Sequence, residues 1–226
     1  MAACLLAMGS TGLWAQAIQP PLQNVAQISA AASVEVQQDL LSIMLSTTRD
    51  GGDAATVQSQ LKAALDAALT EAKKTAQPGL MEVRTGNFSL YPRYSKDGKI
   101  NGWQGRTELV LEGKDFPRIT AAAGKIQTLT LGNVGFALSR EQRAQVEGQA
   151  QAQAIENFKA RAAEVSRSFG FSSYTLREVS INANDQGPVR PRMMAMEAKA
   201  ADSSPIPVEA GKSLVMVNVS GSVQMK

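Results

Sequence analysis

A chain of 226 residues with 44% apolar side chains can bury one core of ordinary size, and a formal charge of +3 spread over interspersed lysines, arginines and carboxylates leaves no phosphate-tracking patch. Nucleic acid is therefore a poor partner. With no histidine and a single cysteine, Cys4, the chain excludes His-based triads, Cys/His zinc and copper sites, His-ligated haem and internal disulfides.

The first element reads as a leader. "MAACLLAMGSTGLWAQA" is uncharged and apolar and ends in Ala15-Gln16-Ala17, the small-x-small pattern of a signal-peptidase site. A mature N-terminus at Ile18 is expected. A charged start is missing, since the first arginine is Arg49 and the first lysine Lys62. The alternatives are a disordered start or a short membrane anchor. A full span needs about 20 apolar residues, and Gly9-Ser10-Thr11-Gly12 interrupts this one. Cys4 lacks a leucine three before it, which also argues against a lipid anchor. Cleavage after Ala17 removes Cys4, and with it the last thiol. Carboxylate, lysine, tyrosine or serine–lysine chemistry remains, or none.

After the leader, "VAQISAAASVEV" (25–36) and "LLSIMLSTT" (40–48) predict two strands paired around Gln37-Gln38-Asp39. "DGGD" (50–53) turns the chain, with Asp53 as N-cap of a helix whose inner face carries Val57, Leu61, Leu65, Ala68 and Ala72. Pro78-Gly79 stops that segment. Strands from Met81 to Tyr94 and from Gly102 to Glu112 follow, joined by a turn at Ser95 to Lys99. Phe88, Leu90, Pro92 and Tyr94 share one face, and Trp103, Gly105, Thr107, Leu109 and Leu111 share one face of the next strand. Aromatics at alternate positions across two strands read as a packed hairpin before they read as a binding groove.

Asp115 then opens a shorter helix with Ile119, Ala122 and Ile126 inward, and "NVGFALS" (133–139) predicts a strand. "SREQ" (139–142) has the spacing of a capping box, with Ser139 accepting from the third helical N–H and Gln142 reaching back. The helix it begins runs to Phe169, through Val146, Ala150, Ala154, Phe158, Ala162 and Val165, and stops at Gly170. "YTLREVSINA" (174–183) and "SLVMVNVSGSV" (213–223) alternate as strands. Between them residues 184–211, rich in proline, methionine and alanine, predict a flexible loop or contact arm. The fold class expected is α+β, a mostly antiparallel sheet with packed helices, one of them spanning about 139–169.

The order of these segments resembles the SIMPL-domain family, bacterial exported envelope proteins of the YggE type. Ser89, Tyr91, Pro92, Tyr94, Gly102, Leu109 and Leu111 stand where the family's tract has its serine, tyrosines, proline, glycine and apolar positions, and Trp103 stands where an aromatic is usual. The closing "VGFALS", the long Ala/Gln/Lys-rich helix ending "RSFGFSS" and "PIPVEAG" before the last strand fit as well. The resemblance covers roughly residues 22–226. It implies a single domain over 18–226, a periplasmic or envelope location, homo-oligomerisation and a loose link to envelope or oxidative stress. It transfers no catalytic, cofactor-binding or metal residue.

Three local patterns compete with that reading. "AGKS" (210–213) mimics the end of a phosphate loop, but the first glycine would fall at Ile206 and a strand follows where a helix should. Ser59 and Lys62 have the S-x-x-K spacing of serine–lysine hydrolases without the accompanying motifs. Met193, Met194 and Met196 are soft thioethers suited to Cu(I) or to reversible oxidation, or simply methionines of a mobile arm. The expectation is a non-enzymatic, self-assembling exported protein. The alternative is a monomeric periplasmic binding or holdase module.

Overall fold

The computed structural model describes residues 23–186 and 208–226. The leader with its Ala17 site, most of the 184–211 loop, and Met193, Met194 and Met196 lie outside the described residues. The elements run β1 (Val25–Gln37), β2 (Leu40–Gly51), α1 (Ala54–Lys73), β3 (Glu82–Tyr94), β4 (Ile100–Gly113), α2 (Phe116–Lys125), β5 (Thr130–Ala137), α3 (Arg140–Ser168), β6 (Tyr174–Gln186) and β7 (Lys212–Met225). They build two antiparallel sheets, ordered β1-β7-β6 and β3-β4-β2-β5. The class is α+β, as expected.

Helices α1 and α2 cover one face of the four-stranded sheet. Asp53 starts α1 by accepting the Thr56 N–H at 3.0 Å, which satisfies one of the donors a helix start leaves open. Its stripe from Val57 to Ala72 then lies buried, Leu65, Ala68 and Ala72 against Leu41, Ile43, Leu109 and Leu111 of β2 and β4. Asp115 caps α2 through the Arg118 N–H at 3.1 Å, and Ile119, Ala122 and Ile126 join the same core. This apolar layer is the larger of the two.

Helix α3 covers the other sheet with a leaner stripe. Ala150, Ala154 and Ala162 bring the helix close to β1 and β7, and Phe158 is buried among Ile28, Val217, Val219 and Val223. Small residues at the contact permit close approach, and a single large ring fills what they leave. Gly170, at φ +82°, ends the helix in the left-handed region, and the Phe171 N–H returns to the Ser166 carbonyl at 2.9 Å.

Two expectations need correction. β1 and β2 do not pair with each other: β1 pairs with β7, and β2 with β4 and β5. The two-residue link Gln38-Asp39 passes the chain from one sheet to the other, and it lacks the glycine of a tight two-residue hairpin turn. The β3–β4 hairpin exists in the expected register, with Phe88 opposite Thr107, Leu90 opposite Gly105 and Pro92 opposite Trp103. Phe88, Tyr91, Tyr94 and Ile100 nevertheless stay exposed. The packed part of this hairpin runs along β4, where Gly105, Thr107, Leu109 and Leu111 are buried.

Candidate functional site

A polar cluster sits where the chain crosses between the sheets. The Gln38 N–H donates to the Gly211 carbonyl (3.0 Å), and its side-chain amide donates to Ser213 Oγ (3.1 Å) and the Phe136 carbonyl (3.3 Å). Asp39 Oδ1 accepts the Ser139 N–H at 2.7 Å and Oδ2 accepts the Ser139 hydroxyl at 2.6 Å. Ser139 Oγ in turn accepts the Gln142 N–H at 3.3 Å. The capping box is thus half made as expected. Asp39, from the link between β1 and β2, takes the N–H that Gln142 was expected to claim.

Lys114 closes the cluster, 3.7 Å from Asp39 Oδ2 and 3.1 Å from Glu141 Oε2. Burial pushes the Asp39 carboxyl up, but the Ser139 hydroxyl and amide and the Lys114 charge outweigh it and hold the group below its ordinary value. The bond between Lys114 and Glu141 lowers Glu141 and raises Lys114, which favours the charged form of each. A serine between a carboxylate and a lysine has the composition of an activated nucleophile. Here the hydroxyl is buried and its oxygen is spent on the first turn of α3. The arrangement is a clamp between sheets.

The sheet edges are unequal. On β1, Asn157 and Arg161 of α3 donate to the carbonyls of Ala31 (3.0 Å) and Ser29 (3.4 Å), so the helix covers that edge. β3 carries Pro92, Arg84, Arg93 and a register shift between Thr85 and Phe88, and β5 is only 8 residues long. Prolines, charges, irregularities and shortness are the usual defences of an exposed edge. β6 is different. It runs for 13 residues, pairs on one side with β7 and, among the described residues, has no strand on the other. Leu176, Val179 and Ile181 are 54%, 42% and 42% exposed.

Helix α3 leaves those side chains open because it lies over β1 and β7 and meets β6 near its start, where the Tyr174 hydroxyl donates to the Lys159 carbonyl at 3.4 Å. An open cleft of about 520 Å³ lies on the opposite flank of α3, lined by Asn157, Arg161, Glu164, Ser168 and the exposed Phe169. A second, of about 210 Å³, is lined by Ser166, Arg167, Ser172 and Tyr174. Both are shallow surface features.

Ser59 and Lys62 stand on the exposed face of α1, away from the clamp. Gly211-Lys212-Ser213 opens β7, with Lys212 paired to Glu35, so no helix start is offered to a phosphate. Among the described residues no group of three or more His, Cys, Asp or Glu side chains is placed to hold a metal ion, and no helix is long and apolar enough to cross a membrane. Sequence reasoning missed the clamp and the edge. Only the edge left a local trace: Leu176, Val179 and Ile181 break strict alternation by one residue.

A family model described as SIMPL, a protein of unknown function (DUF541), matches residues 26–223. No curated protein matches. Among solved structures, AtUAH in complex with (S)-hydroxyglycine and AtUAH in complex with glyoxylate are each 15% identical, over 60% and 58% of this chain, with TM-scores of 0.26 and 0.24. The chain spans 35% and 34% of the length of those two chains. Likeness at that level is too slight to define a fold.

Proposed function

Since the chain belongs to the SIMPL family, we propose that it is an exported envelope protein that acts by assembling with copies of itself and turns over no substrate. The observation that carries this reading is the β6 edge, 13 residues long and carrying three exposed apolar side chains. An unpaired edge presents a row of backbone donors and acceptors in strand geometry, and another strand satisfies them best. The leader pattern before Ile18 supports export to the periplasm. A loose role in envelope or oxidative stress fits a scaffold better than a catalyst, because the chain after Ala17 has neither thiol nor imidazole.

Light scattering on residues 18–226 at micromolar concentration tests the reading, and a defined oligomer is expected. A monomer would overturn it. The cleft beside Phe169 favours the second reading in that event, a monomeric binding or holdase module using a surface groove.

A further inference from the structure

Strand β6 has an internal self-complementarity that names the partner for its edge. Leu176 pairs with Val223 and Glu178 with Ser222, so Arg177 is an extra residue, a bulge. The bulge changes which side chains share a face. Tyr174, Leu176, Val179 and Ile181 stand opposite Met225, Val223, Gly221 and Val219, on the side of the sheet that α3 covers. Thr175, Glu178 and Ser180 point to the other side, and so does Arg177, whose guanidinium donates to Gln224 Oε1 at 2.8 Å.

Resting on the assembly reading above, we propose that β6 pairs antiparallel with β6 of a second copy, about a two-fold axis between Arg177 and Glu178, joining the two three-stranded sheets into one. In this register every opposed pair lies on a common face, as antiparallel pairing requires. Tyr174 meets the partner's Ile181, Leu176 meets the partner's Val179, and Thr175 meets the partner's Ser180. Arg177 meets the partner's Glu178, and the symmetry makes that ion pair twice. Sliding the strand by one residue places apolar side chains opposite polar ones on the wrong face. The register therefore gives all three exposed apolar residues an apolar cross-strand neighbour and matches opposite charges at its centre. Both are favourable cross-strand pairings, and a self-complementary patch is what a two-fold interface needs.

The test uses residues 18–226, which contain no cysteine, and three charge variants compared by sedimentation velocity, with circular dichroism as the fold check. Arg177→Glu and Glu178→Arg each set like charges opposite one another twice and are expected to weaken the β6 contact about tenfold. The double variant Arg177→Glu/Glu178→Arg restores opposite pairing and is expected to recover it. If a single reversal disturbs the fold through the lost Gln224 contact, the pair Leu176→Cys/Val179→Cys decides instead, since it should form a dimer linked by disulfides under mild oxidation. An oligomer that ignores the reversals, or is not rescued by the double variant, or does not cross-link, overturns this pairing and leaves assembly by another surface standing. A monomeric parent overturns both.

Discussion

Asp39 spends both carboxylate oxygens on one serine 100 residues away, and the sign of its titration follows from that geometry. Its folded-state value is held below the ordinary one, so folding favours the ionised form. The stabilisation is present above the unfolded value, near 3.9 in model peptides, and is lost as pH falls through the folded one. Asp39→Asn keeps the shape but removes the charge that two donors and Lys114 address. Hydrogen bonds to a charged group contribute about 1.5–3 kcal/mol each, and part of that survives in the amide. The variant should therefore lose about 1–3 kcal/mol at pH 7 by urea denaturation. The gap to the parent should narrow below roughly pH 4. An unchanged gap down to pH 3 would show that the carboxylate charge contributes nothing to the clamp.

Strand β6 owes its shape to a glycine on its neighbour. A Cβ built on Gly221 would stand 2.2 Å from the Glu178 carbonyl oxygen, because the Arg177 bulge pushes that carbonyl toward β7. Backbone cannot yield as the end of a flexible side chain can, so Gly221→Ala should cost about 1–3 kcal/mol, the range for overpacking. A neutral result in thermal or urea unfolding would mean that the bulge relaxes freely. This element also marks how much was legible beforehand. Helices α1 and α3 were readable because their signals are local: Asp53 and Ser139 at the caps, and apolar residues at steps of three and four. The strands were readable one by one for the same reason. Of their pairings only the local β3–β4 hairpin was readable, since β1 finds β7 at the far end of the chain and nothing near Gln38 says so. The Asp39–Ser139 bond and the open β6 edge are consequences of that pairing. Residues read as a turn and as an ordinary strand therefore became the clamp and the candidate interface.

At the scale of the whole molecule the two sheets have different connectivity. The four-stranded sheet and both its helices come from one continuous stretch, β2 to β5, and most of the larger core lies within it. The three-stranded sheet is assembled from both ends: β7 is its central strand, and Val25 lies opposite Gln224. Closing so long a loop costs chain entropy before its contacts form. The first sheet therefore has what it needs to fold without the second, whereas β1 and β6 have no partner until β7 is present. A fragment of residues 40–137 should accordingly show a cooperative thermal transition and strand-rich circular dichroism, at reduced stability because the Val208 contact and the Asp39–Ser139 clamp are gone. A chain lacking residues 212–226 should keep hydrogen-exchange protection in β2, β4 and α1 and lose it in β1 and β6. Protection that disappears everywhere at once would mean that the clamp binds the halves into a single cooperative unit. The β6 edge would then be as stable as the core behind it.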